Sequence, residues 1–173
     1  MYKILSSASM LAMKAVRFRF LLVLCLTLLS ACSDQRDDII PVSSGDEEMN
    51  KTMELARKNL DLFWTERDKA GDDFNGLLKV YFTDPGEEGG EHMWVDVIEH
   101  TGNTTSGILL STPGWLKSIK PGDLVSFPDS QVSDWLFVED GKARGAYTVK
   151  LLRSRMSPAE RQEHDAASPF RFE

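Results

Sequence analysis

"LLKVYFTDPGEEGGEHMWVDVI", residues 77–98, sets two β-rich runs around a stretch made almost entirely of turn residues. The runs are 77–84 and 91–98, and "PGEEGG" at 85–90 is a turn by composition, so the stretch predicts an antiparallel hairpin. Side chains alternate between the two faces of a strand. On the second run Met93, Val95 and Val97 therefore share one face, and His92, Trp94, Asp96 and Ile98 share the other.

Downstream of the hairpin, "TTSGILLS" (104–111) reads as a third strand and "LVSF" (124–127) as a short one. Between them "TPGWLKSIKPGD" (112–123) is a long turn. "SDWLFVEDGKARGAYTV" (133–149) reads as a second hairpin, closed on Asp140–Gly141, a dipeptide that tolerates the positive φ angles of a tight turn. That reading places Gly145, Tyr147 and Thr148 on the last strand.

Upstream of the first hairpin the period changes to that of a helix. Met49, Met53, Ala56, Leu60, Phe63 and Trp64 recur at three-and-four spacing, and Asp46, Glu47 and Glu48 supply negative charge at the positive end of the helix dipole. The spacing predicts one amphipathic helix over about 46–67, ended at Gly71. Downstream, "SPAE" (157–160) has the form of a capping box, so a short helix starts there, and a loose tail is expected beyond about 166. A helix followed by about six short strands predicts an α+β domain, its helix packed on a mainly antiparallel sheet, over residues 46–156.

The amino-terminal 31 residues differ in kind. Lys3, Lys14, Arg17 and Arg19 are their charges, with no acid among them; setting them aside turns the formal −7 of the chain into −11 for residues 32–173. Chains bind phosphate backbones through clustered Lys and Arg, so this acidity argues against a nucleic-acid partner. Residues 14–19 are basic, 20–29 are apolar and 30–31 are small, which is the order of a secretory signal. An apolar run of that length falls well short of the roughly 20 residues that a membrane-spanning helix needs.

"LSAC" at 29–32 resembles the lipobox of bacterial lipoproteins. The resemblance implies cleavage before Cys32, a thioether-linked lipid on its sulfur and an acylated amino group. Residues 1–31 would then be a lipoprotein signal peptide and 32–45 a lipidated tether, spanning roughly 20 Å as a coil. Cys25 would leave with the signal, and no thiol would remain for a disulfide, a nucleophile or a metal. Ser33 rather than Asp follows the anchor, which by the same resemblance implies the outer membrane of a Gram-negative envelope, facing the periplasm.

"ARKNL" (56–60), "EHMWV" (91–95), "GILL" (107–110), "PGDLVSF" (121–127), "SDW" (133–135) and "GKARGAYT" (141–148) occur in an order and spacing that resemble the YegJ-like domain, a bacterial family of uncharacterised function, over about 46–152. The resemblance implies a small, often exported α+β domain. It brings no activity, cofactor or catalytic residue with it.

Chemistry must then be sought in the residues themselves. His92 could act as a base if Asp134 oriented it; otherwise His92 is a surface residue and Asp134 caps a turn. Ser133 and Thr148 are the available hydroxyls, without a nucleophile motif around them. His92, His100 and His164 lack zinc-site spacing, and the glycine-rich turns lack a phosphate-loop pattern, so neither a metal nor a cofactor is expected. Trp94, Trp115 and Trp135 would line a binding surface if exposed and form core if buried. His92, Trp94, Asp134, Trp135, Tyr147 and Thr148 together make the candidate binding surface. The expected function is a non-enzymatic envelope module that binds a protein or peptide. The alternatives are a weak hydrolase or lyase centred on His92 and Asp134, and a toxin-neutralising protein.

Overall fold

The computed structural model describes residues 45–172. The signal segment, Cys32 and nearly all of the tether lie outside the described residues.

Helix α1 spans Glu47–Lys58. The Asp46 carboxylate accepts the Met49 backbone N–H at 3.0 Å, which makes it the N-cap, and Arg57 and Lys58 close the last turn. Helix α2 spans Leu60–Ala70. The single helix expected over 46–67 is thus two, divided at Asn59 (φ −104°, ψ 11°), whose side-chain amide donates to the Leu55 carbonyl at 2.8 Å. Asparagine competes for backbone groups in this way, and apolar spacing carries no signal of it. Gly71, with φ +57°, ends α2 in a conformation that suits glycine.

The strands are β1 (Gly76–Phe82), β2 (Glu91–Thr101), β3 (Thr104–Leu109), β4 (Leu124–Pro128), β5 (Val132–Glu139) and β6 (Lys142–Gly145). They form one antiparallel sheet in the order β4-β3-β2-β1-β5-β6, so the α+β expectation holds. The opening hairpin pairs Leu78 with Val95 and Val80 with Met93. These residues lie on one face with Leu109, Phe127, Trp135 and Phe137, packed against Ala56, Leu60 and Phe63 of the helices. The indole of Trp135 donates to the Ala56 carbonyl at 2.8 Å, so a single buried side chain both fills the core and ties β5 to α1.

The second face is covered at one end. Leu136, Ala143 and Ala146 are buried there beneath Val149, Phe170 and Phe172, with Leu77 and Trp94 at the margin. Two departures from the sequence reading produce this arrangement. Strand β6 stops at Gly145, and Tyr147–Arg155 form helix α3, so Tyr147 and Thr148 are not strand residues. The cause is a left-handed pair, Gly145 (φ +72°) and Ala146 (φ +53°), that turns the chain. A side chain at position 145 would come within 2.4 Å of Trp135, so glycine is required there twice over.

Helix α4 spans Pro158–Ala167 behind the expected capping box of Ser157 and Glu160. The second departure follows it: the segment read as a loose tail docks. Arg171 exchanges backbone hydrogen bonds with Ala143 (2.8 Å) and Gly141 (3.0 Å) along the β6 edge. Phe170 and Phe172 pair edge to face on the second cluster.

Candidate functional site

Three residues on β1, β2 and β5 build a polar cluster on the second face. Lys79 lies opposite Trp94 on one side and Asp134 on the other. Its ammonium sits 5.0 Å from the Trp94 ring centroid, a cation–π distance, and donates to the Thr148 hydroxyl at 3.3 Å. Asp134, fully buried, is the centre of the cluster. Its carboxylate accepts the backbone N–H groups of Trp135 (2.8 Å), Tyr147 (3.0 Å) and Thr148 (2.7 Å), and the Thr148 hydroxyl at 2.6 Å.

Two of those donors are first-turn N–H groups of α3, which its formal N-cap, Ala146, cannot satisfy. Asp134 is therefore a helix cap delivered from another strand. Burial pushes the Asp134 carboxyl above its ordinary range, while the Thr148 hydroxyl and the charge of Lys79 pull it back. Burial likewise lowers Lys79, with Asp134 acting against it.

His92 belongs to a different contact. The residue is exposed as a whole but its ring is partly covered: Nδ1 lies 2.8 Å from the hydroxyl of buried Ser133, and the ring leans on Tyr81 at 4.8 Å. Ser133 is the extra residue of a bulge in β5, where the β1 register jumps from Lys79–Asp134 to Val80–Val132. Partial burial first, then the charges of Lys79 and Arg57, hold the imidazole down at about 4.

Ser133 and His92 have the composition of a nucleophile–base pair. The serine hydroxyl has one proton and two acceptors within reach, the Lys79 carbonyl at 3.2 Å and His92 Nδ1 at 2.8 Å. The imidazole tautomer decides between them: an unprotonated Nδ1 accepts from the serine, and a protonated Nδ1 donates to it and leaves the hydroxyl to the carbonyl. Asp134 makes none of its hydrogen bonds to His92. Their partners on β1, Tyr81 and Lys79, are two residues apart, which with two strand spacings puts the two Cα atoms on the order of 10 Å apart.

Of the six candidate surface residues, Asp134, Trp135 and Thr148 are buried, Trp94 and Tyr147 are half-buried, and His92 is exposed. The three tryptophans do not meet on one surface. Trp135 is core, Trp94 flanks Lys79, and Trp115 stands 54% exposed on the loop between β3 and β4. His100 stacks on Trp64, with ring centroids 3.9 Å apart, and meets Asp129 at 3.0 Å; His164 lies beside Asp165. Among the described residues no three His, Cys, Asp or Glu side chains are grouped to hold a metal.

Sequence reasoning missed two acids that position the loop. Buried Glu91 accepts the N–H groups of Gly114 (2.8 Å), Trp115 (3.3 Å) and Leu116 (3.1 Å). Asp84 accepts those of Lys117 (2.7 Å) and Ser118 (3.2 Å) and bonds the Ser118 hydroxyl, whose contact leads the causes that lower its pKa. The available signal was an acid at each inner end of the first hairpin, Asp84 and Glu91, facing a loop with no acid from 112 to 122.

Among the described residues, nothing covers the second face over strands β2 to β4 as the C-terminal segment does at the other end. Leu110 and Leu124 are 46% and 69% exposed there, beside half-buried Ile108 and Trp94. A shallow cavity of about 250 Å³ lies on the same strands, lined by Glu99, Thr101, Thr104, Ser106 and Ser126.

Residues 46–172 match the family described as uncharacterised proteins conserved in bacteria, DUF2314, so the likeness runs through α4 and the docked tail as well as the stretch to 152. A putative ankyrin repeat protein of Neisseria meningitidis serogroup B is 39% identical over 134 residues, covering 73% of this chain and 53% of that protein. The chain thus spans about half the length of that relative. The uncharacterised protein YegJ of Escherichia coli K12 is 24% identical over 136 residues, covering 78% of this chain and 87% of that protein. No solved structure matches.

Proposed function

The chain belongs to the DUF2314 family of uncharacterised conserved bacterial proteins, and from that premise we propose that it is a non-enzymatic binding module of the cell envelope. In this reading a lipid on Cys32 holds it to a membrane, and the open face of β2 to β4 takes a protein or peptide partner. One observation carries the proposal. Asp134, Thr148 and Ser133 are buried and committed to internal hydrogen bonds, and His92 is exposed with its Nδ1 on Ser133, whereas Leu110 and Leu124 stand exposed on a sheet face that no helix among the described residues covers. Apolar side chains gathered on an otherwise acidic surface suit a contact that excludes water.

The test is crosslinking and pull-down from envelope fractions with the native protein, beside Leu110→Asp and Leu124→Asp. Both substitutions lie at exposed positions and leave the core untouched. The reading expects a partner that is captured by the parent and lost by the variants. Turnover in a broad hydrolase screen that His92→Ala abolishes would favour the hydrolase reading instead. For the anchor, Cys32→Ser is expected to release the protein from membranes or leave an uncleaved precursor, and unchanged fractionation would count against it.

A further inference from the structure

The two edges of the sheet are treated differently. At β6 the chain covers its own edge, with Arg171 bonding the backbone of Gly141 and Ala143. At the other edge β4 has β3 on one side and no strand on the other among the described residues. The register, with Leu109 donating to the Asp123 carbonyl and Gly107 facing Val125, turns the backbone groups of Val125 and Phe127 toward β3. Those of Leu124 and Ser126 point away from the sheet, with the carbonyl of Pro128.

Proteins commonly guard such an edge with a charge, above all a lysine. "LVSFP" at 124–128 has none, and its outward Leu124 is 69% exposed. Pro128 and the flanking Asp123 and Asp129 limit pairing to the strand itself, and Asp129 is already engaged by His100 and Thr105. What remains, among the described residues, are main-chain donors and acceptors without a partner on an uncharged strand, and an extended backbone is the chemistry that satisfies them.

We propose that β4 pairs with β4 of a second copy of this chain, antiparallel about a twofold axis near Ser126, joining two sheets into one. An antiparallel edge is its own complement under a twofold axis, so a second copy needs no further sequence to fit it. The joined sheet also brings the two exposed Leu124 side chains, each beside Ile108 on its own sheet, onto one continuous face. This inference does not depend on the lipid anchor or on the envelope reading.

Sedimentation velocity of the full chain in detergent, from about 1 to 100 µM, reads the outcome. The parent is expected to dimerise in that range. Ser126→Pro removes an outward N–H without touching the β3 ladder, and Leu124→Lys puts a charge on the edge; each is expected to weaken dimerisation at least about tenfold, while far-UV circular dichroism reports that both variants still fold. Ser126→Cys is expected to form a disulfide-linked dimer on mild oxidation, and Glu88→Cys, on the first hairpin turn, is not. A parent that stays monomeric to about 100 µM, or a dimer indifferent to both edge variants, overturns the proposal. Capture of another protein's strand at Ser126→Cys in place of a second copy overturns it too.

Discussion

Removing the carboxylate of Asp134 would strand three backbone N–H groups, one hydroxyl and the charge of Lys79 in a buried place. Breaking a buried charged network from one side costs about 3 to 5 kcal/mol, a large share of the roughly 5 to 15 kcal/mol that holds a domain together. Asp134→Ala is therefore expected to lose stability on that scale in urea titration, with α3 the first element to lose amide protection. Asp134→Asn keeps the shape but turns a donor toward donors, and is expected to fall between parent and alanine variant. A stability unchanged in Asp134→Ala would mean that the carboxylate is held for some purpose other than capping α3. The residue was legible in "SDW" as a turn cap or the partner of a base; its actual role, capping a helix that begins 13 residues later, depends on a fold the local sequence does not show.

At the scale of elements, the loop from 112 to 120 is fixed without secondary structure of its own. Hydrogen bonds to a charged acceptor contribute about 1.5 to 3 kcal/mol, so Glu91→Gln is expected to speed exchange of the Gly114, Trp115 and Leu116 amides by roughly ten- to hundredfold. Hydrogen exchange read at those three amides, with the amides of β1 as internal reference, checks it. Equal exchange in parent and variant would sink the anchoring role. Elements whose signal is local were readable in advance: the Asp46 first turn, the Asp140–Gly141 hairpin and the Ser157–Glu160 box each place the needed chemistry within four residues. Helix α3 was hidden because Thr148 and Val149 are β-branched and prolong the look of a strand, while the features that override them are the turn at Gly145 and a cap from β5. Of the candidate site, His92 stands apart from the group around Asp134 for a related reason. Alternation puts His92 and Trp94 on one face, but burial decides which of their neighbours can reach solvent, and the bulge at Ser133 shifts the partner of His92 away from Asp134.

For the molecule as a whole, the C-terminal helices are strapped to the rest by ion pairs that acid releases. Arg155 of α3 reaches Asp46 and Glu48 of α1, and Arg153 holds Asp165 of α4. The arginine hydrogen bonds lower Asp46 and Asp165 to about 2, from an ordinary value of 3.8. A carboxylate so lowered contributes stability that is present above 3.8 and lost as pH falls through about 2. His92 acts earlier and in the same direction. Its imidazole resists protonation down to about 4 when folded but accepts a proton near 6.5 when unfolded, so stability falls as the pH drops through that window. Asp134, raised by burial, opposes the trend just above 3.8, where the folded state binds its proton more readily than the unfolded chain does. Thermal melts from pH 7 to 2 are thus expected to show a shallow decline between 6.5 and 4 and a steeper one below 3.8. His92→Gln should flatten the first part and leave the second. Arg155→Ala should shrink the second by returning Asp46 toward its ordinary value, and leave the first. Because each variant acts on one window, a parent curve already level between 6.5 and 4 would mean that the Ser133 contact leaves His92 as easily protonated folded as unfolded.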